Sequence, residues 1–138
     1  MNTTEENNYD GFFKGKKILI VEDDVFLGDV IVAAVAKYGA LVTSAVSGEA
    51  AVESVKVSIP DAIILDIYLS GIKGLDFLEN LRKDPLTEKV PVVVVSNTSQ
   101  EEDRARAKSL KADFLIKAMV TPKAIIKHLY EMLSSSQS

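Results

Sequence analysis

Short runs of aliphatic, mostly β-branched residues recur along the chain, separated by stretches with helical periodicity. Ile18-Leu19-Ile20-Val21, Ala62-Ile63-Ile64-Leu65 and the run from Val90 to Val95 lack the in–out alternation of a strand with one wet face. Such strands must be covered on both sides. Pro91 fits the fourth strand only at its beginning, because a central proline removes a ladder hydrogen bond. Leu41 to Val46 and Phe114-Leu115-Ile116 are weaker runs, which we read as the second and fifth strands. Between them, Phe26, Leu27, Val30, Ile31, Ala34, Val35 and Tyr38 recur at helical spacing, and Gly39 supplies a stop. Ser47 is placed to cap a helix carrying Ala51, Val52 and Val55, which Pro60 ends. Gly74 to Lys83 carries Leu75, Leu78 and Leu81 on one face and halts near Asp84-Pro85. Ser99 with Glu102 forms a capping-box pattern for a helix reaching about Leu110. Thr121-Pro122 opens a last helix with Ile125, Ile126, Leu129 and Leu133 inward. Five strands alternating with five helices imply an α/β fold, a parallel sheet covered on both faces by right-handed crossovers.

The 138 residues, 47% hydrophobic and 26% charged, suit one domain with a core that needs no staples. Cysteine is absent, which excludes disulfides, thiolate metal sites and cysteine nucleophiles. A net charge of −4 gives no electrostatic footprint for nucleic acid. No apolar run approaches the ~18–20 residues of a membrane span. The polar start, MNTTEENNYDG, has neither the basic nor the apolar region of a signal peptide, so a cytoplasmic protein is expected. Residues 1–14 are expected to be a disordered extension, 15–133 the domain, and 134–138 a disordered tail.

Ligands of parallel sheets bind beyond the carboxyl ends of the strands. Here strand one ends in Glu22-Asp23-Asp24, strand three in Asp66, strand four in Ser96-Asn97 and strand five in Lys117. Clustered carboxylates raise one another's pKa unless a cation sits among them. A hard divalent ion resolves that conflict. Mg²⁺ fits best, with Mn²⁺ able to stand in, because it takes a few carboxylates plus waters and phosphate oxygens. An aspartate beside such an ion, a hydroxyl and an ammonium has the parts for phosphoryl transfer. The carboxylate attacks in line and becomes an acyl phosphate, while metal and lysine neutralise the developing charge. Each residue alone has an ordinary reading. The acidic triplet suits a helix N-terminus, and Asp24 is expected to serve as that cap. Ser96 suits a turn, and Lys117 a solvated charge. Their coincidence at four strand ends outweighs those readings. His128, the sole histidine, lies mid-helix and reads as a helix-face residue rather than a phosphoacceptor or metal ligand.

KKILIVEDDVFLGDVI, PDAIILDIYLSGIKGLDFLENLR, VPVVVVSNTS and ADFLIKA resemble, in order and spacing, the motifs of the response-regulator receiver domain. This is the phosphoacceptor module of two-component signalling, here of chemotaxis-regulator-like form. The resemblance covers about Lys16 to Leu133. It implies a flavodoxin-like, doubly wound sheet of order 2-1-3-4-5. It implies that Asp66 accepts a phosphoryl group from a histidine kinase or histidine phosphotransfer protein in a Mg²⁺-dependent reaction. Asp23, Asp66 and the Tyr68 backbone carbonyl match the metal ligands, with Glu22 acting through water. Ser96 matches the switch hydroxyl, Lys117 the phosphate-binding lysine and Phe114 the switch aromatic. Gly74 matches the glycine that turns the loop after strand three into its helix. Such a module catalyses only its own phosphorylation and dephosphorylation. Its helix 4, strand 5, helix 5 face switches for an effector, an output domain or a phosphorylation-dependent dimer, with no direct binding of nucleic acid or membrane. The chain ends soon after its last helix, so it is expected to be a stand-alone regulator or a receiver from a longer protein.

Some positions depart from the family pattern. Ser70 and Ala118 stand where proline is usual, Asn97 where a very small residue is usual, and Lys111 where glycine is common. Tyr68 and Asn97, both large, are expected to shield an acyl phosphate from water. The family's lysine–proline bond is typically cis. Before alanine a cis bond costs ~3–4 kcal/mol, so a trans Lys117–Ala118 bond is expected, with Lys117 still reaching Asp66. Two rival chemistries on this fold lack their signatures. A flavin carrier needs a hydroxyl-rich loop after strand one, where carboxylates stand. A small-substrate aspartyl phosphatase usually needs a second Asp two residues past the nucleophile, where Tyr68 stands. A degenerate receiver used only for docking sits poorly with the intact acidic pair, Asp66 and Lys117.

Overall fold

The structure is a computed structural model and describes residues 9, 11–97 and 100–136. Five strands, β1 (Lys17–Val21), β2 (Leu41–Ala45), β3 (Ala62–Leu65), β4 (Val92–Ser96) and β5 (Asp113–Ile116), form one parallel sheet of order β2-β1-β3-β4-β5. They alternate with α1 (Val25–Ala36), α2 (Gly48–Val57), α3 (Gly74–Lys83), α4 (Glu101–Ser109) and α5 (Pro122–Ser136). This is the expected flavodoxin-like arrangement.

The continuous apolar strands are explained by two cores, one on each face of the sheet. Leu19, Val21, Ile63, Leu65, Val92 and Val94 point to the face covered by α2, α3 and α4. Ile18, Ile20, Ala62, Ile64, Val93 and Val95 point to the face covered by α1 and α5. Each fully buried Ile, Leu or Val contributes roughly 1.5–3 kcal/mol of transfer free energy, so a polar residue in these runs would be costly.

Local signals set the helix ends. Asp24 Oδ1 accepts from Leu27 N–H at 3.1 Å, and Ser47 Oγ from Ala50 N–H at 3.1 Å. Thr121 Oγ1 caps α5 through Ala124 N–H at 3.1 Å. Gly39 takes φ +90° just past α1, a conformation that favours glycine. Arg82, near the end of α3, donates to the carbonyls of Glu88, Val90 and Leu110 and ties the α3–β4 loop to the α4–β5 loop.

The structure corrects three boundaries. The stretch before residue 15 is not wholly separate from the domain: Tyr9 and Phe13 are buried in the α1/α5 core. Phe12 and Phe13 pack there with Tyr9, Tyr38 and Tyr130 in mostly edge-on contacts. The serine tail does not begin at 134, because α5 continues to Ser136. Ser134 Oγ and Ser135 Oγ donate to the carbonyls of Tyr130 and Glu131, four residues back. Strand β4 starts at Val92 rather than Val90, which leaves Pro91 outside the strand while its carbonyl still accepts from Ile63. Ser99 of the capping box lies outside the described residues. No described helix is long and apolar enough to cross a membrane.

Candidate functional site

Parallel strands deliver their carboxyl ends to one edge, and the singled-out polar residues meet there. Asp66 follows β3 directly, and its N–H donates to Val21 O at 2.9 Å, so β1 fixes its backbone. Its side chain is only 8% exposed. Asp66 Oδ1 accepts from the buried Ser96 hydroxyl at 3.2 Å and from Tyr68 N–H at 3.1 Å. Asp66 Oδ2 accepts from Lys117 Nζ at 2.8 Å. Lys117 Nζ also donates to Glu22 Oε1 at 2.7 Å, and Glu22 Oε2 accepts from Asp24 N–H at 3.2 Å. Asp23 stands exposed at the rim.

Carboxylate oxygens of Glu22, Asp23 and Asp66 all lie within 4.8 Å of one another. Three carboxylates face one ammonium, so negative charge is in excess. Burial is the largest influence on Glu22 and raises its pKa; the hydrogen bond from Lys117 opposes this, and the charge of Asp66 adds to it. Burial alone would lower Lys117, but its hydrogen bonds to Asp66 and Glu22, with their charges, leave it raised. An all-oxygen, acid-rich donor set of this size fits a hard divalent cation such as Mg²⁺.

The loop after β3 is shaped around Asp66. A Cβ on Gly74 would lie 2.5 Å from both the Asp66 carbonyl oxygen and Ile67 Cα. Glycine is thus required there by close contact, and Gly74 N–H closes the loop by donating to Ile67 O at 3.1 Å. Glu49 holds the same loop from outside by accepting from Ile72 N–H. The Tyr68 hydroxyl donates to Asp103 Oδ2 on α4 at 2.7 Å, bridging the loop to that helix. This bridge edges a cleft of about 590 Å³ that also touches Asp23, Lys73 and Arg106.

The Lys117–Ala118 bond is trans, as no peptide bond among the described residues is cis. After Lys117 the chain makes a 3-10 turn over Lys117–Met119, and Ala118 N–H donates to Asn97 Oδ1 at 2.8 Å. Phe114 lies on β5 away from these contacts, half-buried, with the Arg104 guanidinium 5.3 Å from its ring centre. His128 pairs with Asp113 at 2.8 Å on the α5/β5 side, as a helix-face residue. Asp103 and Ala118 carry no local sequence signal for these contacts: Asp103 reads as an ordinary acid in a first helical turn, and Ala118 acts through its backbone.

Comparison with known proteins agrees with this architecture. The family model of the response regulator receiver domain matches residues 18–130. The phosphate regulon transcriptional regulatory protein PhoB of Escherichia coli K12 is 29% identical over 114 residues, 83% of this chain and 50% of PhoB. This chain therefore spans about half the length of that relative. Protein PilH of Pseudomonas aeruginosa is 30% identical over 119 residues, 86% of this chain and 98% of PilH. A CheY-like receiver domain protein from Methanospirillum hungatei JF-1 shares the fold, with a TM-score of 0.83 at 22% identity, over 90% of this chain and 98% of that one. With the motifs, the strand order and the site at the sheet's carboxyl edge in agreement, this chain belongs to the response regulator receiver domain family of two-component systems.

Proposed function

We propose that Asp66 accepts a phosphoryl group from a histidine kinase or histidine phosphotransfer protein, in a Mg²⁺-dependent reaction. One observation carries this reading: the buried Asp66 carboxylate is held by Lys117 at 2.8 Å while lying within 4.8 Å of the Glu22 and Asp23 oxygens. Acceptor, counter-charge and cation site thus coincide.

Asp23, Asp66, the Tyr68 carbonyl and, through water, Glu22 would hold the Mg²⁺, which supplies charge neutralisation for the phosphoryl oxygens. An Asp66 carboxylate oxygen attacks the phosphorus in line. The bond from phosphorus to the donor's imidazole nitrogen breaks, and its electron pair stays on the imidazole, which then takes a proton. Lys117 transfers a hydrogen bond from the carboxylate to a phosphoryl oxygen. Ser96, already on Asp66 Oδ1, does the same. Each charge-assisted bond is worth ~1.5–3 kcal/mol. Because both bonds are exchanged rather than added, only the difference in their strength between the two packings biases the switch. Displacement of Ser96 makes room for Phe114 to turn inward and remodels the α4–β5–α5 face. An effector, an output domain outside this chain or a second copy then reads that face. We place this exchange in the cytoplasm, where the donor's phosphohistidine is presented.

The test is intact mass after incubation with acetyl phosphate. The parent should gain one phosphoryl group with Mg²⁺ and none with EDTA. Asp66→Asn, which keeps the shape and removes the nucleophile, should gain none. A phosphoryl adduct persisting on Asp66→Asn would remove Asp66 as the acceptor; no adduct on the parent would favour a docking role without phosphoryl chemistry.

A further inference from the structure

Two of the chain's departures from the family motifs touch each other. Asn97 follows Ser96, the last residue of β4, and Ala118 follows Lys117, the first residue beyond β5. Ala118 N–H donates to Asn97 Oδ1 at 2.8 Å. Proline at 118 would lack that donor, and a very small residue at 97 would lack the acceptor. The β4–β5 ladder ends at Ser96↔Ile116, so this bond carries the strand pairing one step further through a side chain.

The bond sits between two groups that hold Asp66. On one side is the Ser96 hydroxyl, 3.2 Å from Oδ1; on the other is Lys117 Nζ, 2.8 Å from Oδ2. Among the described residues, little else restrains the Lys117 turn: Val120 N–H to Lys117 O is 3.5 Å long, and Met119 is 81% exposed. No proline stiffens the chain until Pro122. A lysine stem on a loose turn loses much rotamer freedom when its ammonium is fixed on two carboxylates. A restraint on the adjoining peptide lowers that loss.

The geometry points to Asn97 as a positioning residue for phosphoryl acceptance, acting through the Ala118 peptide to hold Lys117 on Asp66 and Glu22. The inference rests on the phosphoacceptor reading above. It assigns the Asn97 amide to the lysine turn instead of to shielding the acyl phosphate from water.

The experiment is a double-mutant cycle on phosphorylation by acetyl phosphate at saturating Mg²⁺, with the parent, Asn97→Ala, Lys117→Ala and the double variant. It is read beside hydrogen exchange of the Ala118 amide and Mg²⁺ affinity. Asn97→Ala should slow phosphorylation about three- to tenfold, the range of one net hydrogen bond. It should also unprotect the Ala118 amide and leave Mg²⁺ affinity unchanged. In the Lys117→Ala background it should slow the reaction no further, because the group it positions is gone. Three results overturn the inference while the parent phosphorylates normally. They are an unchanged rate in Asn97→Ala, equal slowing in both backgrounds, and faster dephosphorylation with unchanged phosphorylation, which would return Asn97 to the role of water shield. A parent that takes up no phosphoryl group defeats the functional reading itself, and this inference with it.

Discussion

At the amino ends of the strands, Tyr9, Phe12, Phe13, Tyr38 and Tyr130 pack their rings with centroids between 4.7 and 6.3 Å apart. At the carboxyl ends, Glu22, Asp23 and Asp66 surround the ammonium of Lys117. The aromatic end is chemically satisfied. Each ring pair adds ~0.5–1.5 kcal/mol beyond its buried area, and the rings clamp the residues before β1 to α1 and α5. The acidic end is not satisfied. Its carboxylates exceed their counter-charge, and Glu22 is pushed toward its neutral form. Excess negative charge costs stability and suits this edge to a divalent cation. The difference teaches that the fold can carry an unfavourable edge because stabilising contacts are concentrated elsewhere. Substitutions at the two ends should therefore separate in their effects.

The largest expected effect is at the aromatic end. Phe13 is fully buried and touches the rings of Tyr9, Phe12 and Tyr38. Phe13→Ala should cost ~3–5 kcal/mol, a large share of the ~5–15 kcal/mol of a typical domain. Thermal unfolding should show it as a midpoint lowered by roughly 10–20 °C. Below the new midpoint, phosphorylation by acetyl phosphate should proceed at the parent rate. A matching fall in rate would break the separation between the ends.

Gly74→Ala is the next largest and should not separate them. The added Cβ would press on the Asp66 carbonyl and Ile67 Cα at 2.5 Å, and backbone yields less readily than a side chain. Overpacking of this kind costs ~1–3 kcal/mol. The relief available is movement of the Asp66–Ile67 peptide, so phosphorylation should slow together with the loss in melting temperature. A destabilised variant with an unaltered rate would mean that the loop relaxes without moving the acceptor.

These two positions also show what a sequence can reveal. The buried strands were legible because continuous apolar runs admit few other fates, and the site was legible because strand ends are where such sheets place ligands. The burial of Phe13 was not legible, because the polar run MNTTEENN dominates any local reading. That burial is decided by Tyr38 and Tyr130, distant in sequence. The end of α5 was illegible for a related reason: a serine run reads as a tail, while in the helix the Ser134 and Ser135 hydroxyls are satisfied by carbonyls four residues back. The departures at 97 and 118 were visible one by one, but their pairing was not. Nothing in a linear chain says that an asparagine side chain after one strand will meet the peptide after another. The same holds for the Tyr68–Asp103 bridge.

The smallest effect expected on stability is also the sharpest test of the acidic end. Asp23 is exposed and contributes one oxygen to the carboxylate cluster. Asp23→Asn removes one negative charge from that cluster while keeping nearly the same shape. In EDTA the variant should therefore be slightly more stable than the parent, by less than ~1 kcal/mol, since exposed charges interact weakly. The gain should shrink at ~1 M salt, where the screening length falls to ~3 Å. With Mg²⁺ the order should reverse. A bound ion stabilises the folded state in proportion to the logarithm of its occupancy ratio, and the variant, lacking one ligand charge, should bind about tenfold or more weakly. Melting curves of both proteins in EDTA and in Mg²⁺ should thus cross. Equal Mg²⁺ responses would remove Asp23 from the ligand set. A variant less stable in both conditions would show that the Asp23 carboxylate supports the fold at this edge, so that the contrast between the two ends does not extend to the rim.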